Sequence, residues 1–253
     1  MSKILTREEW NRKRRRKRRL VLTVVILLLI IIFLFIFVLG SIYYATNDNR
    51  EGKNSIIHNI QNQLFGYNND GIETIDGTLT NGVEIIQDFL TPNEYSRPQI
   101  PLYGIDGVVI HYTANPGTSA ANNRSYFEGL ATTHATSVSS HYVIGLEGEI
   151  IQCIPLTEIS YASNERNGDT VSIECCIPDE TGKFNDATYS SAVALTAALC
   201  VQFDLEEKDI IRHYDITGKC CPKYFVEHED SWLTFKSEVM DEVKILKANM
   251  EKK

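Results

Sequence analysis

Positive charge is scarce in this sequence after residue 19. The 253 residues include 25 Lys and Arg and 33 Asp and Glu, which gives a net charge of -8. Ten of the basic residues and two of the acidic ones lie within residues 1–19, so residues 20–253 keep 15 basic and 31 acidic residues. A charge break this sharp is typical of a chain that spans two compartments or meets two partners.

Residues 20–39 lack charge altogether and contain a single hydroxyl group, that of Thr23. A helix of this length rises about 30 Å, the thickness of a bilayer's hydrocarbon core. A buried core helix and a cleaved signal peptide are the alternatives. A signal h-region, however, is about 7–15 residues long and ends at an A-x-A-like site, which is missing here. The sequence therefore predicts an uncleaved transmembrane anchor over residues 20–45.

The basic run Arg12–Arg19 precedes this span and sets its orientation. The positive-inside rule makes residues 1–19 a cytoplasmic tail and exports the chain that follows the span. Because the run has no fold of its own, a topology signal and a contact for anionic membrane lipid explain it better than a nucleic-acid site does. We therefore expect a single-pass protein of the cell membrane with an extracellular domain and no nucleic-acid partner. A soluble cytosolic protein and a multi-span transporter are excluded.

The exported part of the chain divides by composition. Residues 46–82 contain eight Asn and five Gly with scattered apolar residues. Such a segment buries too little apolar surface to offset its ordering entropy, which predicts a flexible stalk. Residues 83–245 have the turn signals and compact apolar runs of one folded domain, and residues 246–253 form a charged tail. No internal repeat is evident.

Strand-like and helical patterns alternate along the predicted domain. Short apolar runs bounded by turn residues indicate strands, and apolar positions at helical spacing indicate helices. Their interleaving predicts an α/β fold with a mixed central β-sheet flanked by helices. The strand-like segments are 107–114, 141–156 (a hairpin), 169–177 and 209–215, and the helical ones are 189–203 and a last helix capped by Asp230 or Ser231.

The histidines with the most chemical interest stand at the ends of strand-like runs. His111 ends one such run, His213 follows another, and Cys221 lies eight residues beyond His213. Two imidazoles and a thiolate would give zinc three protein ligands and leave the fourth position to water, which is the catalytic arrangement. The spacing is no recognised local zinc signature, so hydrogen-bonded structural histidines and a core cysteine are the alternative.

Glu174 lies in the middle of an apolar strand-like segment, where burial of an ionised carboxylate is costly unless something compensates it. Alternation places its side chain on the same face as Ser172 and Cys176. In a partly dry pocket near a metal-bound water, a carboxylate has the position that a general base needs. A solvent-facing glutamate on an edge strand is the other interpretation, and the strand alone does not decide between them.

The six cysteines do not form an obvious disulfide framework. An exported chain with an even number of cysteines invites one. The pairs Cys175–Cys176 and Cys220–Cys221 are adjacent in sequence, however, and cannot easily bridge to each other. We expect Cys175 to face the core, Cys200 to lie on the inward face of a helix, and Cys221 to be needed as a thiolate.

Seven segments, in one consistent order, carry a resemblance to a known family: VIHYTA (109–114), NPGTSA (115–120), SSHYVIG (139–145), EGEIIQCIPL (147–156), YASNERN (161–167), SIECC (172–176) and RHYDITGKCCP (212–222). Together they resemble the type 2 N-acetylmuramoyl-L-alanine amidase domain. That family includes phage endolysins and bacterial autolysins and shares its fold with peptidoglycan-recognition proteins. The resemblance covers nearly all of the predicted folded domain.

The resemblance implies a zinc-dependent hydrolase of peptidoglycan that cleaves the amide bond between N-acetylmuramic acid and L-alanine. Position by position, it places the zinc ligands at His111, His213 and Cys221. It places the catalytic carboxylate at Glu174, and at Lys219 a basic residue that stabilises the developing oxyanion.

Five further residues are candidate contacts for the muropeptide substrate, because they stand beside the first ligand or in polar loops. Polar loops often have no function beyond contact with solvent. His141, which precedes a strand-like run, is also a candidate for a purely structural role. A non-catalytic muropeptide-binding or wall-contact module on the same fold is the alternative function, and cleavage of another stem-peptide amide is the nearest alternative reaction. The five residues are Tyr112, Thr113, His134, His141 and Asn164.

Overall fold

The computed structural model describes residues 71–75 and 78–251. The predicted cytoplasmic tail, the predicted anchor at residues 20–45 and the predicted stalk up to residue 70 lie outside the described residues. Among the helices of the described part, none is both long enough and apolar enough to cross a bilayer.

A six-stranded mixed sheet forms the centre of the domain, in agreement with the predicted fold class. The strands are arranged in the order β1-β4-β3-β5-β2-β6. The hairpin pair β3–β4 is antiparallel, and every other neighbouring pair is parallel. The inner strands are buried on both faces, which explains why they appear in the sequence as continuous apolar runs. The strands are β1 Ile85–Gln87, β2 Val108–Tyr112, β3 Tyr142–Ile144, β4 Ile150–Gln152, β5 Val171–Cys175 and β6 Ile210–Arg212.

Two of the helices begin at polar residues whose side chains cap them. Ser119 caps the first helix through the backbone N–H of Asn122, and Asn185 caps the second through that of Thr188. Two 3-10 turns, Asn164–Arg166 and Glu207–Asp209, lie in the connections. The helices are α1 Ala120–Thr133, α2 Asp186–Phe203, α3 His213–Thr217, α4 Lys223–Glu227 and α5 Glu229–Met250.

Helices cover both faces of the sheet, and the buried apolar residues form two hydrophobic clusters. The larger cluster joins Val108 and Ile110 of β2 to α2 and α5, where Phe235 is completely buried. The smaller cluster packs Phe127 of α1 against β3 and β4. Because side chains alternate along a strand, β2 turns His111 away from the larger cluster.

The segment that carries His213 differs from its prediction. A strand was expected over residues 209–215, but β6 ends at Arg212 and His213 opens α3. The cause is local, since the carboxylate of Asp215 accepts hydrogen bonds from both the backbone N–H and the guanidinium of Arg212. Arg212 is itself 6 % exposed, so this ion pair fixes the strand-to-helix turn firmly.

The predicted caps of the last helix are wrong. α5 begins at Glu229 after His228, and no side chain caps it, so Asp230 and Ser231 lie within its first turn. Acidic residues in that turn interact favourably with the helix dipole, which stabilises a helix start without a capping hydrogen bond.

The contacts of the domain extend beyond both predicted boundaries. The carbonyl of Glu73 accepts hydrogen bonds from the backbone N–H of Leu156 and from Nε2 of Gln152, and Leu79 is 7 % exposed. At the other end α5 continues to Met250, and Leu246 packs against the larger cluster. The described residues before 83 and after 245 therefore contribute to this fold.

Candidate metal centre and catalytic site

The site begins with the pairing of β2 and β5. These strands are parallel neighbours, and their register places His111 opposite Glu174. Side chains of register partners lie side by side on one face of a sheet. The strand ends therefore bring an imidazole and a carboxylate together, although 63 residues separate them along the chain.

Three potential metal ligands meet on this side of β2. His111, His213 and Cys221 are buried, and one ligand atom from each lies within 4.8 Å of the other two. The Sγ atom of Cys221 is 3.8 Å from Nδ1 of His111, and the two imidazole rings are 4.8 Å apart between centroids. The structure thus brings together the three residues that the sequence singled out as ligands.

Both imidazoles use Nε2 for a contact with the turn at residues 163 and 164. Nε2 of His111 is 3.3 Å from Oγ of Ser163, and Nε2 of His213 is 2.9 Å from Oδ1 of Asn164. Nδ1 of His213 is buried and has no hydrogen-bond partner. A buried polar atom without a partner costs free energy. A metal ion would remove that cost, and two imidazoles with one cysteine sulfur are a donor set suited to zinc.

Burial controls the ionisation of these ligands. It lowers the pKa of His111 well below its ordinary value, with further lowering by His213 and Lys219, so this imidazole is neutral at pH 7. Burial likewise lowers the pKa of His213. Burial, reinforced by the nearby Glu174 carboxylate, raises the pKa of the Cys221 thiol to about 12. Neutral imidazoles are ready to coordinate a cation, whereas the thiol must release a proton to do so.

The side chain of Glu174 faces the site. It does not face solvent from an edge strand. It lies on β5, an inner strand of the sheet, so the edge-strand interpretation is wrong. Its Oε2 atom is buried and has no hydrogen-bond partner. Burial raises the pKa of Glu174 to about 8, and the charge of Lys219 opposes that rise. A carboxyl group with such a pKa can both take and return a proton near neutral pH.

Lys219 stands in the turn between His213 and Cys221. Its backbone N–H donates to Oγ1 of Thr217, and the residue is exposed. Its positive charge lowers the pKa of Glu174, His111 and His213.

Two of the candidate substrate contacts have other roles in the structure. His141 is completely buried, its Nε2 donates to the carbonyl of Glu158, and its Nδ1 accepts from the backbone N–H of Ser172. It is therefore a structural residue that substrate cannot reach. Tyr112 packs against the larger hydrophobic cluster, on the face of β2 opposite His111.

The other three candidates differ in their surroundings. The hydroxyl of Thr113, on the His111 face of the chain, is buried and has no hydrogen-bond partner. His134 is exposed at the end of α1 and stacks on Tyr95 at 4.3 Å. Asn164 already uses its side-chain oxygen on His213. Ser163 is not among the site residues that the sequence predicts. It lies in a polar turn that has no periodic pattern, and it contacts a residue 52 positions away along the chain.

Comparison with known proteins connects this site to a family. Residues 101–224 match the Amidase_2 family model, described as N-acetylmuramoyl-L-alanine amidase. That segment contains all three potential ligands, Glu174 and Lys219. The match supports the resemblance found in the sequence.

The similar proteins are bacterial amidases. The N-acetylmuramoyl-L-alanine amidase CwlL of Bacillus licheniformis is 34% identical over 170 residues, which are 62% of this chain and 47% of CwlL. The N-acetylmuramoyl-L-alanine amidase BlyA of Bacillus subtilis (strain 168) is 31% identical over 172 residues, 60% of this chain and 45% of BlyA. The chain thus spans about half the length of these curated relatives.

Solved structures are similar over the folded domain. The catalytic domain of XlyA superposes with a TM-score of 0.52 at 27% identity, over 62% of this chain and 99% of that domain. A mutant endolysin from Bacillus subtilis gives a TM-score of 0.52 at 26% identity, over 62% of this chain and 99% of that protein. The similarity therefore covers both of those structures almost completely.

The buried His141 predicts a specific pH dependence of stability. Burial lowers the pKa of His141 to about 4 in the folded protein, whereas an unfolded histidine has a pKa of about 6.5. Between these values the unfolded state binds more protons, so stability is full above pH 6.5 and falls as the pH drops toward 4. We expect His141 to lower the free energy of unfolding of the wild type by about 2 kcal/mol when the pH falls from 7 to 5.

Urea unfolding of wild type and His141→Gln at both pH values measures this cost. The glutamine variant should show a smaller loss, and His134→Gln, at an exposed position, should match the wild type. Equal pH dependence in wild type and His141→Gln would contradict the assignment.

Proposed function

We propose that the chain is a zinc-dependent N-acetylmuramoyl-L-alanine amidase acting on peptidoglycan. The observation that carries the proposal is the convergence of His111, His213 and Cys221 beside the buried carboxyl group of Glu174. The match of residues 101–224 to the amidase family model supports the substrate and the bond that is cleaved.

Zinc would be held by Nδ1 of His213, the imidazole of His111 and Sγ of Cys221. These residues fit the ion because the cluster is buried, offers one free Nδ1 atom and has donor atoms within 4.8 Å of one another. When bound, zinc supplies Lewis-acid chemistry, which polarises a carbonyl group and makes a water molecule more acidic.

Glu174 is the group that moves the proton. In hydrolysis, a water oxygen adds to the lactyl carbonyl carbon, the bond from that carbon to the alanine nitrogen breaks, and the nitrogen gains a proton. The carboxylate of Glu174 takes the proton from water and returns it to the departing nitrogen. Its Oε2 atom has no competing hydrogen bond within the described protein, so it is free for this exchange.

Lys219 stabilises negative charge as it develops on the carbonyl oxygen. The lowering influence of its charge on the pKa of Glu174, His111 and His213 supports this role. A positive charge beside a developing oxyanion lowers the barrier by stabilising that charge. A binding module without catalysis would need neither this lysine nor a glutamate whose Oε2 atom is buried without a hydrogen-bond partner.

Replacement of Glu174 separates catalysis from substrate binding. We expect Glu174→Gln to lose about 10²–10⁴-fold of kcat, since the amide cannot accept a proton and general-base catalysis is worth that range. The measurement is release of free L-alanine-terminated peptides, with matching muramoyl lactyl groups, from purified sacculi.

Glu147→Gln is the matched control, because Glu147 is exposed in the β3–β4 turn. It should keep wild-type activity. Wild-type turnover by Glu174→Gln would refute the catalytic role, and products cut at another stem-peptide amide would refute the proposed bond.

The two adjacent cysteines provide a test of the metal. Cys221 is buried within the ligand cluster and Cys220 is exposed outside it. We expect the purified full chain to contain one zinc per molecule, Cys220→Ser to keep it, and Cys221→Ser to lose most of it. Elemental analysis after dialysis measures the content. Zinc retained by Cys221→Ser, or lost equally in both variants, would count against the ligand set.

We further propose that the enzyme works at the outer face of the cell membrane, tethered by residues 20–45. The support is the sequence pattern alone, namely an uncharged apolar run with ten basic residues on its N-terminal side. The rest of the chain is acidic and is not attracted to an anionic wall over a distance. A membrane tether would keep the domain near its substrate instead.

Cell fractionation tests this location. The full chain, expressed in a bacterial host, should stay with the membranes after alkaline carbonate extraction, and a variant without residues 20–45 should not. Protease added to intact protoplasts should digest the domain. Release of the full chain by carbonate, or protection from protease, would overturn the proposed location.

A further inference from the structure

Ser163 and Asn164 lie directly against the two histidines of the metal centre. Ser163 is 1 % exposed, and its Oγ is 3.3 Å from Nε2 of His111. Oδ1 of Asn164 is 2.9 Å from Nε2 of His213. Two consecutive residues of one turn thus contact both imidazoles on the side away from Cys221.

The contact with Asn164 determines which nitrogen of His213 carries the proton. An amide oxygen only accepts hydrogen bonds, so Nε2 of His213 must donate. A neutral imidazole protonated on Nε2 has its lone pair on Nδ1. That Nδ1 is the buried atom without a hydrogen-bond partner. The amide of Asn164 therefore selects the ring form that can coordinate a metal.

The contact with Ser163 has the same consequence for His111. The hydroxyl oxygen of Ser163 can accept from Nε2, which leaves the lone pair of the ring on Nδ1. That Nδ1 faces the sulfur of Cys221 at 3.8 Å. Both imidazoles thus turn the same nitrogen toward the ligand cluster.

The turn itself is held by bonds that do not involve the cluster. Oδ1 of Asn167 accepts from the backbone N–H groups of Ala162 and Ser163, at 3.1 and 2.6 Å. Oγ1 of Thr170 donates to the carbonyl of Arg166 at 2.6 Å. Asn164 has a φ of 52°, a left-handed conformation that asparagine tolerates better than most residues. The turn is therefore preorganised and can orient the histidines before any metal arrives.

We propose that Ser163 and Asn164 are positioning residues that hold His111 and His213 with Nδ1 directed at the metal. This inference rests on the proposed zinc site and extends it to residues that do not touch the ion. It also gives Asn164 a role other than the predicted contact with substrate.

The experiment measures zinc affinity of the purified full chain by competition with a chelator of known affinity. Ser163→Ala and Asn164→Gly each remove one acceptor, and glycine also tolerates the left-handed backbone. We expect each to weaken zinc binding by roughly 10–100-fold, the range for partners of metal-ligating histidines. Asn164→Asp keeps an acceptor at the same place and should restore most of the affinity.

Asp204→Gly is the matched control, because Asp204 is an exposed residue with the same φ of 52° at the end of α2. It should bind zinc as the wild type does. Urea unfolding of the metal-free proteins should show that Asn164→Gly costs no more stability than Asp204→Gly, which separates positioning from a general loss of fold.

Three results would overturn the inference. Wild-type zinc affinity in both Ser163→Ala and Asn164→Gly would show that the turn does not position the ligands, while the zinc site itself would stand. Failure of Asn164→Asp to restore binding would show that the acceptor is not what matters. A wild-type chain that binds no zinc would refute the proposed cofactor together with this inference.

Discussion

The parallel pairing of β2 with β5 is the interaction on which the site depends. Its register sets His111 beside Glu174 at the same level of the sheet. Both strands are inner strands, so their backbone hydrogen bonds are shielded from water on both sides. A shift of one residue in this register would move one of the two side chains to the opposite face. The position of the His111 imidazole relative to the Glu174 carboxylate is therefore fixed by the core of the sheet.

Burial gives each group of the site its ionisation state. It keeps the imidazoles neutral, raises the pKa of Glu174 to about 8 and raises that of the Cys221 thiol to about 12. A cation at the centre would favour the thiolate and offset part of the cost of burying these groups. The polar turn at Ser163 and the exposed Lys219 complete the surroundings, one from within the protein and the other from its surface.

The candidate ligands His111 and His213 stand out in the sequence because each comes at or just after the end of an apolar run, whereas Cys221 has no such pattern and its role is implied by the resemblance to the amidase family. The mixed sheet followed from the same patterns. The start of α3 could not be predicted, since it depends on the ion pair between Arg212 and Asp215. The role of Ser163 was equally hidden, because it arises from a contact between distant segments. His141 lies just before a strand, whereas His111 and His213 lie at strand ends, and its hydrogen bonds show that it is structural.

The distribution of the ligands along the chain has a consequence for biosynthesis. His111 comes early in the domain, whereas His213 and Cys221 come near its end. A growing or partly exported chain shorter than 221 residues lacks at least one donor, so it cannot assemble the centre. The candidate metal centre can therefore form only when nearly the whole domain has been synthesised. The order of residues along the chain thus delays assembly of the site until the fold around it is almost complete.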